Sequence, residues 1–313
     1  MTKATTTHTY RVNPFLHSPD TVLPVDDEFA DLFRTMVTAG DDAARQQKVC
    51  FVGMARDIAG VLPFTLARLE SLGGRFAEWS AVVVENDSKD TTKDILHRWE
   101  DEHSGRVIAD CRDLGREHFH GFERARVERY AEYRTRYRDI ALDHFGEVDV
   151  VIAVDLDPWG GWSEDGVING IGWMESMPKA GGMASVSLYE QLLESADDKP
   201  AGKMLCHYDH WAYRGPGWRH RWERHFALWL PPVGSPPIVC NSAFGALCIY
   251  RADPFFAHAP VSVDGDIEHV GMHRAMADAG WEFYLNPSQR TLMTWVPEDS
   301  QAVASEGRQQ EPA

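Results

Sequence analysis

An α/β fold with a central, mostly parallel sheet flanked by helices is what this chain predicts, and three observations carry the prediction. Short apolar runs at 49–54, 81–84 and 150–154 are rich in valine and isoleucine, as strands buried on both faces are. Stretches of helical length stand between them at 61–72 and 93–102, a spacing that implies parallel pairing with right-handed crossovers. The run at 150–154 then ends in Asp155-Leu156-Asp157, with Pro158, Trp159 and two glycines to stop it. Side chains alternate along a strand, so Asp155 and Asp157 project to one side and Leu156 to the other. Both carboxylates therefore sit at the C-terminal end of a strand, the edge where open α/β sheets bind ligands.

Each element follows from its own signals. Residues 1–47 read as an N-terminal arm broken by Pro14, Pro19 and Pro24, with one short amphipathic helix over 26–38. The arm is expected to pack on the core or on a partner chain, so an oligomer is left open. A first strand over 49–54 runs through Arg56-Asp57 into a helix over 61–72, with Gly73-Gly74 as its stop. The strand over 81–84 leads into Glu85-Asn86-Asp87-Ser88-Lys89-Asp90-Thr91-Thr92 and a helix over 93–102 capped by Thr or Asp. A third strand covers 106–109. Over 121–144, Phe122, Val127, Tyr130, Tyr133, Tyr137, Ile140 and Ala141 recur at helical spacing. Beyond the two aspartates come a helix after Ser163, a strand over 184–189, a polar aromatic stretch over 203–213 and a loop over 231–237. A strand within 241–251 and a helix over 267–279 follow, the helix with Asp264 or Asp266 at its start and Gly280 past its end. A strand over 283–285 closes the pattern. One domain is expected over 48–297, and a disordered polar tail over 298–313.

Composition narrows the function classes. With 313 residues, 43% hydrophobic and 25% charged, the chain has enough apolar residues for a large core. A net charge of −17 argues against bulk nucleic-acid binding, which needs a basic surface. No apolar stretch reaches the length of a transmembrane span, and 1–10 lacks the apolar core of a secretory signal, so a cytoplasmic location is expected. Five cysteines without a close pair read as reduced residues rather than a disulfide framework or zinc site.

Four pieces in order carry a family resemblance: Arg56-Asp57 after the first strand, the turn Glu85 to Thr92, Asp155-Leu156-Asp157, and Phe244-Gly245-Ala246-Leu247-Cys248-Ile249-Tyr250-Arg251 ahead of Glu268-His269. Over 49–295 the chain resembles GT-A-fold glycosyltransferases, which transfer sugar from a nucleoside-diphosphate donor. Within that class, Tyr208-Asp209-His210-Trp211-Ala212-Tyr213-Arg214 is similar to a segment of fungal capsule α-1,3-mannosyltransferases. The resemblance implies a GT-A-type, Rossmann-like sandwich and a metal-dependent glycosyltransferase that moves a hexose to a hydroxyl acceptor, a glycan or a small molecule.

It also assigns roles. Asp155 and Asp157 would hold Mn²⁺ or Mg²⁺ against the donor diphosphate, Asp157 as the direct ligand and Asp155 toward ribose or the metal. Hard oxygen ligands suit both ions. Asp57 and Glu85, with Arg56, Asn86 and Asp87 beside them, would bind the nucleoside; Asn86, Asp87 and Ser88 equally fit a turn that caps the next helix. Arg138, in an arginine-rich helix whose other charges read mostly as surface ion pairs, occupies the place of an arginine near the sugar or diphosphate, with Arg134 one turn earlier as second choice. Glu268 and His269 stand where inverting relatives carry Glu-Asp, the aspartate serving as general base. Histidine there makes a retaining outcome the expectation and leaves His269 as base or metal ligand, with His273 a further candidate for the metal. Asp209, His210 and Trp211, along with His207 and Trp218, are expected on the acceptor side. Two other classes fit a related sheet: a nucleotidyltransferase that forms sugar nucleotides, and a non-catalytic sugar-binding protein. The first is disfavoured because Gly53-Met54-Ala55-Arg56-Asp57 lacks the glycine-rich basic loop such enzymes carry.

Overall fold

The computed structural model describes residues 18–118, 124–194, 200–209, 211–218, 228–263 and 265–293. His210, Asp264 and the expected tail over 298–313 lie outside them. In chain order the elements are α1 (Pro19–Val22), α2 (Ala30–Ala44), β1 (Lys48–Ala55), α3 (Leu62–Gly73), β2 (Glu78–Asn86), α4 (Thr92–Glu102), β3 (Val107–Arg112), α5 (Arg124–Phe145) and β4 (Val150–Asp155). There follow α6 (Glu164–Ser176), β5 (Ala180–Glu194), β6 (Pro200–His207), β7 (Ile238–Cys240), β8 (Leu247–Arg251), α7 (Ala252–Ala257), α8 (Glu268–Asp278) and β9 (Glu282–Leu292).

The strands form one mixed sheet in the order β3-β2-β1-β4-β8-β5-β9-β7, with β6 paired to β5. The half built from β3, β2, β1 and β4 is parallel throughout. β8 enters antiparallel between β4 and β5, and β9 returns parallel to β5. Met54 lies opposite both Val84 and Asp155. The C-terminal ends of β2, β1 and β4 are therefore level, and the loops after them open on one edge.

Strict alternation sorts the strand residues onto two helical layers. Phe51, Val83, Ile152 and Val154 pack with Leu62 and Leu66 of α3, Leu96 and Trp99 of α4, and Ile168 and Ile171 of α6. Val52, Val84 and Ala153 meet Tyr133, Tyr137 and Ala141 of α5 and Met272 and Met276 of α8. Because both faces are covered, the parallel strands carry unbroken apolar runs. Each fully buried valine or isoleucine among them contributes about 2 kcal/mol.

β9 departs from the sequence expectation. β9 does not stop at Leu285: its pairing with β5 jumps from Ser185–Asn286 to Val186–Arg290, so Pro287, Ser288 and Gln289 bulge and the strand resumes. The polar bulge is held mainly through Gln289 Nε2, which donates to the Met183 and Leu247 carbonyls and to Ser185 Oγ, while Ser288 Oγ and Gln289 Oε1 have no partner among the described residues. Arg290 explains how the N-terminal arm docks. Fully buried, its guanidinium donates to Asp20 Oδ1 at 2.6 Å, to Ser163 Oγ at 3.1 Å and to the carbonyls of Pro19 and Leu23. The described part of the arm thus packs on the core of its own chain. Among the described residues no helix is long and apolar enough to cross a membrane.

Candidate active site at the edge of the central strand

β4 ends as its sequence requires. Leu156 enters the α3-side core, while Asp155 and Asp157 remain half-buried. Asp155 is fixed from two sides: its N–H donates to the Ala246 carbonyl at 2.8 Å, and its Oδ1 accepts from Arg134 Nη2 at 3.2 Å. Ala246 and Gly245 both have positive φ (64° and 66°), a sharp turn that carries the chain past the end of β4. A Cβ on Gly245 would lie 1.9 Å from the Ser185 carbonyl oxygen, so only glycine fits. The Gly245 N–H donates to Asp209 Oδ2 at 2.8 Å, and Ala212 N–H to Asp209 Oδ1 at 3.1 Å, which draws a third carboxylate toward the pair. Burial raises the Asp155 carboxyl above its usual range; Arg134 opposes the rise, and Asp157 and Asp209 add to it.

Arg134 is the centre of this edge. Only 4% exposed, it donates from Nε to Glu268 Oε1 at 2.8 Å, from Nη1 to Tyr137 OH at 3.1 Å and from Nη2 to Asp155. Its guanidinium also lies 4.7 Å from the Phe244 ring centroid. Burial disfavours the charge, but Tyr137, Asp155 and Glu268 together hold the guanidinium well above its usual range. One buried cation thus ties α5, the end of β4 and the start of α8 together. Glu268 is fully buried; burial raises its carboxyl and Arg134 opposes the rise, while its Oε2 has no hydrogen-bond partner. His269 stacks on Phe244 with ring centroids 4.0 Å apart, and neither ring nitrogen has a hydrogen-bond partner. Burial, then Arg134 and His273, hold it well below the usual histidine range, so it is a neutral imidazole.

The expected residues divide. Asp155, Asp157, Asp209, Glu268 and His269 are brought together. Arg138 is not: it donates to the Phe255 carbonyl at 3.3 Å, to the Phe256 carbonyl and to Asp139, fastening α7. The arginine at the edge is Arg134, one turn earlier. His273 is not free for a metal, because Nδ1 is bonded to Ser242 Oγ at 2.8 Å and Nε2 to Tyr250 OH at 2.9 Å. His207 is buried beneath Ser187 rather than on an acceptor surface. Trp211 lies under the Arg126 guanidinium, and Trp218 under that of Arg274.

The upstream loops brace one another. Asp57 N–H donates to Ser88 Oγ, Lys89 N–H to Asp57 Oδ1, and Ala59 N–H to Asp90 Oδ2. Arg56 Nη2 donates to the Arg116 carbonyl at 2.9 Å. Asp87 accepts from Asn86 Nδ2 and from the N–H groups of Leu114, Gly115 and Arg116. Desolvation opposes its ionisation, but these four donors outweigh it and bring its carboxyl down to about 2. Asn86 and Asp87 therefore hold the loop after β3. Glu85 shares the edge with Asp155 but faces the other layer: its Oε1 accepts from Ser88 N–H at 2.7 Å, and Oε2 lies 4.0 Å from Lys93 Nζ. Burial raises its carboxyl, with the Ser88 bonds and Lys93 acting against the rise.

Among the described residues no three His, Cys, Asp or Glu side chains converge to hold a metal ion. The donor set at the edge is two hard carboxylates, Asp155 and Asp157. That set fits Mg²⁺ or Mn²⁺ where phosphate oxygens and water complete the shell. A separate cavity of 260 Å³ lies at the opposite end of the strands, beside Asp149, Glu175 and Arg251. The Arg251 guanidinium there is bonded to the carbonyls of Ala180 and Met174, and none of the expected site residues lines it.

No protein-family model and no curated protein matches the chain. Among solved structures it is similar to a mannosyltransferase, PcManGT from Pyrobaculum calidifontis, in complex with GDP-Man and Mn²⁺, at 13% identity and a TM-score of 0.45 over 90% of this chain and 75% of that one. TarS residues 1–349 of S. aureus are similar at 11% identity and a TM-score of 0.43, over 79% of this chain and 60% of that one. GalNAc-T7 with UDP, GalNAc and Mn²⁺ is similar at 10% identity and a TM-score of 0.43, over 88% of this chain and 54% of that one.

Proposed function

We propose that the protein is a metal-dependent glycosyltransferase that moves a hexose from a nucleoside-diphosphate sugar to a hydroxyl acceptor, a glycan or a small molecule. One observation carries the reading: Asp155 and Asp157 end the central parallel strand beside Asp209, with the buried Arg134–Glu268 pair behind them. Asp155 and Asp157 would hold Mn²⁺ or Mg²⁺, which when bound would supply positive charge to the leaving nucleoside diphosphate. Asp57, in the loop after β1 at this edge, would meet the nucleoside, and Glu85, buried on the other layer, would brace the neighbouring loop through Ser88 N–H. Glu268, with one oxygen fixed by Arg134 and the other unpartnered, accepts a hydrogen bond from a donor-sugar hydroxyl. Asp209 and Trp211 sit on the acceptor side, and the similarity of 208–214 to capsule mannosyltransferases makes mannose the first sugar to test.

Retention of anomeric configuration is the proposed outcome. A general base works best with a pKa near the operating pH, and burial holds His269 far below that. The test is turnover of a panel of sugar nucleotides, with and without Mn²⁺, followed by NMR of the product anomer. Release of nucleoside diphosphate with a retained anomer supports the reading. Release of pyrophosphate from a nucleoside triphosphate and a sugar phosphate would make the protein a nucleotidyltransferase instead.

A further inference from the structure

Arg134 stands in an unusual place for a site whose task is to attract a divalent cation. It is almost fully buried, and each of its three nitrogens is bonded: Nε to Glu268 Oε1, Nη1 to Tyr137 OH and Nη2 to Asp155 Oδ1. Phe244 closes the guanidinium face at 4.7 Å. A charge held by bonds from three elements cannot swing aside as a surface arginine does.

We propose that Arg134 sets the order of binding, keeping the bare carboxylate edge from loading a divalent ion until a diphosphate arrives with it. Two effects act together, and both rest on the reading of Asp155 and Asp157 as the metal pair. One oxygen of Asp155 already accepts from the guanidinium, so the aspartate has less to offer an ion. The fixed positive charge also repels a second cation, and like charges a few ångströms apart in a partly dry site repel strongly. A diphosphate reverses the balance, because its negative oxygens pair with the ion and compensate the arginine. Without the guanidinium, Asp155 Oδ1 would lose the bonded cation that competes with a divalent ion for it. Arg134 is thus a positioning residue acting through Asp155, and its removal creates a metal site rather than destroying one.

The experiment measures Mn²⁺ binding by electron paramagnetic resonance and calorimetry, with Mn²⁺ alone and with inorganic pyrophosphate present. Wild-type protein is expected to bind Mn²⁺ at least tenfold more tightly with pyrophosphate than without. Arg134→Met is expected to tighten binding of Mn²⁺ alone at least tenfold and to lose most of the pyrophosphate enhancement. Arg134→Lys, which keeps the charge, is expected to stay near wild type. A merely structural role would weaken binding in Arg134→Met and could not tighten it. Should Arg134→Met fail to fold with Glu268 left unpaired, Arg134→Met/Glu268→Gln removes the stranded charge and must show the same gain. Equal affinity for Mn²⁺ alone in wild type and the folded variant overturns the proposal while leaving the glycosyltransferase reading intact. Absence of Mn²⁺ binding in every protein, with and without pyrophosphate, overturns both.

Discussion

Acidification from pH 7 to pH 5 is expected to cost this protein stability through His273. The ring is 1% exposed, bonded at both nitrogens to Ser242 and Tyr250, and burial lowers its pKa from 6.5 to about 3. An unfolded histidine takes up a proton near its ordinary pKa of about 6.5. Between the two values the unfolded state binds the extra proton, so stability is fully present above the unfolded pKa and is lost as pH falls through this window. At pH 5, about 1.5 units below the unfolded value and still above the folded one, the loss is about 2 kcal/mol. His269 is shifted in the same direction and adds to the loss. The assay is urea unfolding of wild type and His273→Gln at both pH values; glutamine keeps a donor and an acceptor for the two hydroxyls. Wild type should lose about 2 kcal/mol more than the variant on acidification. Equal losses would refute the claim that the ring is held neutral in the fold.

Other perturbations separate chemistry from architecture. Asp157→Asn is expected to lower turnover of a sugar nucleotide by about a hundredfold or more while leaving the melting temperature close to wild type. Arg138→Ala should cost about 1 kcal/mol in unfolding free energy, from its lost bonds to the end of α7, and leave the donor KM unchanged. Asp87 has φ 57° and accepts three backbone N–H groups, so Asp87→Ala should destabilise more than Asp87→Gly, by about 1 kcal/mol, because only alanine is strained there. Gly245→Ala should cost about 3 kcal/mol, since its Cβ would meet the Ser185 carbonyl, and should reduce turnover by displacing Asp209.

Arg134 was the hardest part of the site to read in the sequence, although a signal existed. Val127, Arg134 and Ala141 are spaced by seven and are all buried on α5. An arginine on the apolar stripe of a helix demands a buried anion. Resemblance to a family pattern favoured Arg138 instead, one turn along, where the side chain meets only carbonyls and a neighbouring aspartate. His273 misled for the opposite reason: the family resemblance suggested a metal ligand, but Ser242 and Tyr250, remote in sequence, already take both nitrogens. Glu85 was correctly placed at the sheet edge, but its facing could not be judged until the pairing Ala55–Glu85 and Met54–Asp155 put it one step out of phase with Asp155.

By itself the sequence determined the alternating strands and helices of the parallel half and the position of Asp155 and Asp157 at a strand end. Both are local: hydrophobic run length, alternation and stop residues act within a few positions. Tertiary structure alone decided which charges meet. Glu268 lies 134 residues from Arg134 and Asp209 lies 36 from Gly245, and neither pairing leaves a trace in local periodicity. It also decided that β9 continues through Asn286-Pro287-Ser288-Gln289, because a polar bulge is stable only where buried partners await it.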